Sequence, residues 1–323
     1  MRSRRAEVAR MLASARGDWV SGERIARALD ISRTAVAKHV EALRELGYVI
    51  DSANRKGYRL ASVPDEVVPT EVERLVTDPF WNRFEGGRVT GSTNEDCKAL
   101  ARAGVPEGAV VVAAEQTAGR GRLGRQWVSP CGGAYFSALL RPPLAAIDVP
   151  PLALVCSLGV AMALEAAGAP VALKWPNDIY LGWRKLGGVL LEMSAEADMV
   201  EWVVAGCGIN VRRSAALAPE AAALEEVARM APAEVAALAL DGIAQAYREH
   251  LRAGFAGLLE QYEQRHILSG REVKVQDLAG AVVAEGEVMG VDGMGRLLVL
   301  TADGPRAVAA GEVTLAGEGL RHG

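Results

Sequence analysis

A short seam, SVPDEVVPT at residues 62–70, constrains the fold more than any other stretch. Its prolines at 64 and 69 interrupt regular structure, and the sequence on either side of it follows different rules. Residues 1–62 carry thirteen Lys/Arg against seven Asp/Glu, a net +6, whereas the rest of the chain carries 23 against 33, a net −10. A basic module joined to an acidic body points to an anionic partner for the first part alone. With 323 residues, half of them apolar and 24% charged, there is enough chain for two or three domains with buried cores.

In the basic module, Val8, Met11 and Leu12 mark a first helix that ends near Gly17. Ser21 predicts the cap of a second helix, with Ile25, Ala28 and Leu29 facing inward, and Asp30-Ile31 a short turn. Ser32 predicts the cap of a third, Arg33 to Leu46, with a buried stripe of Val36, Val40 and Leu43 and a stop at Gly47. YVID and GYRL then read as two strands around the basic tip SANRK. Helix, helix, turn, helix and hairpin is the winged helix-turn-helix order, which places the third helix in the major groove and the hairpin on backbone phosphate. Candidate DNA contacts are Ser32, Arg33, Thr34, Lys38 and His39 on the third helix and Arg55 and Lys56 on the wing. The plainer alternative is a solvated helical hairpin or a dimerisation module. Residues 63–69 read as a linker.

Residues 70–268 alternate strand-like runs (Val110 to Ala114, Tyr135 to Leu140, Val171 to Leu173, Gly188 to Glu192, Trp202 to Ala205) with helical ones at 94–103, 151–166 and 233–265, which predicts a mixed α/β domain. Residues 269–323 hold only short strand-like runs divided by Asp-Gly pairs, which predicts a small antiparallel barrel of the SH3-like kind. The longest apolar run, Val149 to Leu164, is too short for a membrane span and reads as a buried helix. The N-terminus lacks a continuous apolar h-region and a cleavage site, so the expected location is the cytoplasm. Cys97, Cys131, Cys156 and Cys207 lie far apart with no C-x-x-C, a spacing that supports neither a disulfide framework nor a structural metal site.

GRGRLG at 119–124 satisfies G-x-G-x-x-G, yet four residues separate it from the preceding strand, and the RQWVSPCGG after it cannot open a helix. No G-K-[ST] is present, so a P-loop is excluded as well. What remains is a glycine-loosened loop with Arg120, Arg122 and Arg125, suited to wrapping phosphate or carboxylate oxygens. Bare, such a loop is expected to be mobile and self-repelling and to order around an anion. Four further motifs stand beside it in the sequence: GSTN at 91–94, KWPND at 174–178, RKLGGVLLE at 184–192 and GCGIN at 206–210. Each alone has a dull reading as a cap, a turn or a strand end.

Together and in this order, Gln116, the G-R-G-R-x-G-R loop of Gly119 to Arg125, Trp127, Lys174 to Asp178 and Lys185 to Gly188 resemble the biotin protein ligases over the whole chain. The winged helix and terminal barrel resemble the subgroup that doubles as biotin operon repressor. Leu123 departs from the family, where that position is often basic. Lipoate ligases share the catalytic fold, and a lipoyl or octanoyl ligase and a non-catalytic biotin-sensing repressor stand as the alternatives.

The resemblance implies formation of biotinyl-5′-AMP from biotin and MgATP, then transfer to a lysine of biotin carboxyl carrier protein. It implies a biotin site of Ser92, Thr93, Asn94, Gln116, Arg120, Gly121, Arg122, Lys185 and Gly188, and adenylate contacts from Arg122, Arg125, Trp127, Lys174, Asn177 and Asn210. Lys185, Arg120 and Arg122 are the candidate electrophilic groups, and Asp178 is the candidate base or orienter. Mg2+ is expected to arrive on the ATP phosphates rather than at a dedicated ligand cluster, and loop closure is expected to favour a homodimer that spans two operator half-sites.

Overall fold

Three serines start the three helices of the basic module. The computed structural model describes residues 3–277 and 279–315. Helices α1 (Arg4–Ser14), α2 (Gly22–Leu29) and α3 (Arg33–Glu45) are each preceded by a serine whose hydroxyl oxygen accepts from a backbone N–H of the first turn: Ala6 at 3.3 Å, Arg24 at 3.1 Å and Ala35 at 3.0 Å. A wing of β1 (Val49–Ala53) and β2 (Gly57–Ser62) follows. Val8, Leu12, Ile25, Val36, Val40, Leu43, Tyr48 and Ile50 close a core of their own. Ala26, not the expected Ala28, is buried on α2 beside Ile25 and Leu29.

The stretch at 63–69 is no loose tether. Val67 and Val68 are buried, and Pro69 opens helix α4 (Pro69–Leu75). Helix α4 is two-faced. Val72 and Val76 belong to the core of the acidic body. Glu71 and Glu73 turn toward the basic module, where Tyr48 donates to Glu71 at 2.6 Å and the Ser3 hydroxyl to Glu73 at 2.6 Å. Arg74 also pairs with Glu71, at 2.5 Å, and Arg10 donates to the carbonyl of Arg74 at 3.0 Å.

The body is built on seven strands, β3 (Arg83–Thr90), β4 (Ala109–Gln116), β5 (Gly133–Leu140), β6 (Ala172–Lys174), β7 (Asp178–Leu181), β8 (Arg184–Glu196) and β9 (Met199–Asn210). They lie in the order β3-β4-β5-β9-β8-β7-β6, with β3 and β4 parallel and the other pairs antiparallel. Alternation along the strands sorts residues between two faces. Val110, Val112, Ala134, Phe136 and Ala138 join helices α6 (Pro151–Ala166) and α7 (Pro232–Ala253) in the main core. Ala109, Val111, Leu139 and Val204 face helix α5 (Thr93–Arg102) through Cys97 and Ala101. Helix α6 is apolar and, with the short turn before it, long enough to cross a membrane by composition alone, but Leu152, Val155, Leu158, Val160 and Leu164 are fully buried in the fold. The helix expected at 233–265 breaks at Gly254 (φ 66°), and the short α8 (Leu259–Glu263) follows a 3-10 turn. All four cysteines are free thiols; burial pushes Cys97 and Cys156 up to about 12, so they are inert packing groups.

Strands β10 (Glu272–Gln276), β11 (Val282–Val291), β12 (Leu297–Thr301), β13 (Gly304–Val308) and β14 (Glu312–Leu315) form the terminal unit, an antiparallel sheet in the order β13-β12-β11-β10-β14. The expected barrel extended to residue 323; residues 316–323 lie outside the described residues.

Where the body meets this unit, His266 is buried and bridges to Leu173 on β6. Ser269 gives its proton to Glu263 at 3.0 Å, so the Nδ1–H of His266 donates to the Ser269 hydroxyl at 3.1 Å, while Nε2 has no partner among the described residues. Burial holds the ring neutral and pushes its pKa down to about 4 from the usual 6.5. The sign follows: below pH 6.5 the unfolded chain binds a proton that the folded ring refuses, so stability falls with pH until about pH 4. His266 alone should then cost about 3 kcal/mol across that window. Urea melts at pH 7 and pH 4.5 check this against His266→Gln, whose pH slope should be shallower; equal slopes would refute it.

Candidate active site

Strand ends and one helix start converge on a single cavity. At the end of β4, the Gln116 carbonyl oxygen accepts from the Thr93 N–H at 2.9 Å and lies 3.1 Å from the Thr93 hydroxyl; its amide donates to Ser129 at 2.9 Å. Thr93 is the first residue of α5, so the glutamine takes up one of the N–H groups that a helix start leaves open. Behind it, Asn94 donates to Glu192 at 2.7 Å and accepts from the Ser137 hydroxyl at 2.6 Å, which fixes its orientation at both ends. Ser92, Thr93 and Asn94 are all buried.

The strand opposite has to be glycine. A Cβ on Gly206 would lie 1.9 Å from Asn94 Oδ1, and one on Gly208 would lie 2.4 Å from Trp127 Nε1. Two glycines at i and i+2 share one face of β9 and make a flat floor. That spacing, inside GCGIN, was the signal for these residues.

The arginine-glycine loop is an excursion from β4 that closes on itself: Trp127 N–H donates to the Gly119 carbonyl at 2.9 Å and Gly121 N–H to that of Arg125 at 2.7 Å. Leu123 sits at its tip in the left-handed region (φ 58°), about half exposed. The expected self-repulsion is offset, since each arginine has its own partner on a different part of the fold, although Arg125 still works against the charge on Arg122. Arg120 pairs with Glu95 on α5 at 2.5 Å. Arg122 donates to Asn177 at 3.3 Å and to the Gly311 carbonyl at 3.1 Å. Arg125 pairs with Glu312 on β14 at 2.6 Å. Burial depresses the pKa of Arg122, though a guanidinium keeps its charge.

Lys185 and Asp178 meet where β7 and β8 pair. Their Nζ–Oδ1 distance is 2.7 Å, and Nζ also lies 5.5 Å from the centre of the Trp127 ring. Strand β8 begins at Arg184, earlier than the run expected from Gly188, so Lys185 and Gly187 lie within it as well; a Cβ on Gly187 would meet the Gly208 carbonyl at 2.5 Å. The turn between β6 and β7 carries a cis Trp175–Pro176 peptide and presents Asn177, whose amide donates to the Val189 carbonyl at 2.7 Å.

The resulting cavity, about 390 Å³, is lined by Ser92, Thr93, Asn94, Gln116, Arg120, Gly121, Arg122, Arg125, Trp127, Asn177, Asp178, Lys185 and Gly188, together with Gly206, Gly208 and Glu312. A larger groove of about 770 Å³ beside it shares Arg122, Asn177, Val189 and Leu190, but its walls are mostly apolar, Ile147, Met193, Leu251 and Met294 among them. The smaller cavity has the convergent polar groups that fix a ligand's orientation. Two expected residues do not line it. Lys174 lies with its Nζ 5.5 Å from the Tyr180 ring centre, and Asn210 is buried, donating to the Ala222 carbonyl at 3.2 Å with its Oδ1 unpaired among the described residues.

On the basic module, Ser32, Arg33, Thr34 and Lys38 are exposed along α3, and Arg55 and Lys56 stand at the wing tip with Lys56 Nζ 5.7 Å from the Trp19 ring centre. His39 departs from this group. It lines a cleft of about 670 Å³ between α3 and β3, facing the body, where burial and then Arg5 lower its pKa.

A winged helix held against a mixed sheet whose strand ends enclose an amide-floored, arginine-capped cavity defines a DNA reader joined to an enzyme that handles an anionic ligand. Residues 86–210 match the biotin/lipoate A/B protein ligase family, residues 4–59 an HTH domain and residues 268–315 the biotin protein ligase C terminal domain. The bifunctional ligase/repressor BirA of Bacillus subtilis is 34% identical over 96% of this chain and 98% of its own length, and that of Escherichia coli is 36% identical over 61% of each. The biotin protein ligase of Aquifex aeolicus, solved in complex with biotin and ATP, superposes with a TM-score of 0.61 at 33% identity over 71% of this chain and 97% of its own. The chain belongs to the biotin protein ligase family, in its bifunctional ligase/repressor form.

Proposed function

We infer that the chain joins biotin to a protein through biotinyl-5′-AMP and represses transcription through its winged helix. The observation that carries the enzymatic half is the convergence of the Lys185–Asp178 pair, three arginines and the Thr93–Gln116–Asn94 floor on one cavity. In the first step a biotin carboxylate oxygen forms a bond to the α-phosphorus of ATP and the bond to the β-phosphate breaks, releasing pyrophosphate. Two anions meet there, so positive charge has to be concentrated, and Lys185 with Arg120 and Arg122 supplies it. Ser92, Thr93 and Gln116 with the backbone of Arg120 and Gly188 form the end that reads the ureido ring. Arg125, Trp127 and Asn177 face the adenylate.

In the second step a lysine amine of biotin carboxyl carrier protein attacks the acyl carbon, AMP leaves and the amine loses its proton. Asp178, already paired with Lys185, orients that ammonium and is the candidate base for the incoming amine. Of the acids lining the cavity, Asp178 and Glu312 are held by Lys185 and Arg125, and no trio of His, Cys, Asp and Glu side chains that could hold a metal occurs among the described residues. Magnesium would therefore reach the site on the triphosphate, where it neutralises phosphate charge. Closure of the loop over the mixed anhydride excludes water, and the same closure favours a homodimer that presents two winged helices to operator DNA, in the cytoplasm.

Incubation of the chain with ATP, biotin or lipoate, and a biotin carboxyl carrier domain, read by intact mass spectrometry, tests this reading. A biotinyl mass gain on a single acceptor lysine is the expected result. A lipoyl gain would reassign the substrate, and no gain with either acid would leave a sensor without ligase activity.

A further inference from the structure

Arg122 and Arg125 are tethered to the turn before β7 and to the terminal sheet, but Arg120 is tethered to α5, the helix whose first turn lines the cavity. We propose that Glu95 is a positioning residue for the arginine-glycine loop: it holds Arg120 from α5, and Lys98 and Glu192 continue the same ionic chain down to Asn94 at the cavity floor.

Each link is present in the geometry. One carboxylate oxygen of Glu95 lies 2.5 Å from the Arg120 guanidinium and 2.8 Å from Lys98 Nζ, so one acid serves two cations. Lys98 is only 8% exposed, and its ammonium reaches Glu192 Oε1 at 2.6 Å. A lysine buried to this degree needs such partners. The other oxygen of Glu192 accepts from Asn94 at 2.7 Å, and Asn94 in turn fixes Ser137. Glu95 and Lys98 stand three residues apart on one face of α5, the spacing at which helical side chains meet. Lys98 holds the Glu95 carboxyl below the usual range, keeping it charged. Loop and floor, contributed by segments distant in sequence, are thereby joined by side chains that do not themselves line the cavity.

The consequence falls on retention of the intermediate and, through Arg120, on adenylate formation, rather than on transfer to the acceptor. Arg120 and Gly121 line the cavity, so freeing Arg120 loosens the lid over the bound intermediate. Lys185 and Arg122, where charge meets phosphorus, keep their own partners. This rests on the ligase reading above.

The test uses the full chain with ATP and biotin. Glu95→Gln should release preformed biotinyl adenylate about fivefold faster, the effect of losing an exposed ion pair worth about 1 kcal/mol. The KM for biotin should rise by a similar factor, with the rate of transfer from preformed adenylate to the acceptor and the Tm unchanged. Lys98→Met should act in the same direction, and the double variant should be less than additive because both changes break one chain. A release rate equal to the parent's in Glu95→Gln would overturn the proposal. So would a parallel fall of kcat and Tm with KM unchanged, which is the mark of a merely structural role. A parent that forms no adenylate would instead overturn the ligase reading and the proposal with it.

Discussion

Replacing Lys185 by glutamine is expected to slow biotinyl adenylate formation by on the order of a hundredfold or more, the usual cost of removing one preorganised electrostatic donor. Two losses act together. The ammonium no longer faces the carboxylate and α-phosphate, and Asp178, from which Lys185 lies 2.7 Å, becomes an unneutralised anion in a cavity built for anions. Because the pair is part exposed, with side chains 40% and 22% accessible, the Tm should barely move. Biotin-dependent exchange of pyrophosphate into ATP measures the step directly. A rate within threefold of the parent would remove Lys185 from the chemistry. Asp178→Asn should do less harm, since it leaves the cation in place.

Removing residues 1–62 should abolish binding to a duplex containing the operator while leaving acceptor biotinylation measurable. The reason lies in how α4 is shared. Its apolar face, Val72 and Val76, stays in the body's core, and Glu71 keeps Arg74 when Tyr48 is lost. Fluorescence anisotropy at two salt concentrations checks this. The full chain should bind more weakly as salt rises, because Arg33, Lys38, Arg55 and Lys56 release counterions from phosphate, and the truncated chain should show no binding to lose. Specific binding that survives truncation would take the DNA-reading role away from the winged helix.

Local signals explain how far the sequence could be read. Ser21 and Ser32 announced two helix starts because a cap is written within three residues of the group it satisfies. The loop glycines and arginines, KWPND and the paired glycines of β8 were visible for the same reason, and the structure brings most of them to one cavity. What escaped was tertiary. Glu312 and Gly311 lie almost two hundred residues from the arginines they hold, and nothing in their own neighbourhood marks them. Glu95 and Lys98 stand three residues apart on one helix, but the arrival of Glu192 from another strand leaves no mark near them in the sequence. His39 looked like any other polar residue off the buried stripe of α3, and only the docking of the body against that face turns it away from the exposed side. Two prolines around Val67 and Val68 resembled a tether because the partner that buries those valines lies elsewhere in the chain.

Helix α4 also bears on how the chain would measure DNA. One side of it is packed into the body and the other is held to α1 and Tyr48 by buried and part-buried polar contacts, which tie the recognition helix to the ligase. In a pair of such chains the distance between the two recognition helices is set by how the two bodies sit together. If the proposed homodimer forms on operator DNA, it would act as a caliper: base-pair spacing between half-sites would become a gauge of the ligase–ligase geometry. In such a dimer, any change at the cavity that alters that geometry would be expressed as a spacing that fits the operator or misses it.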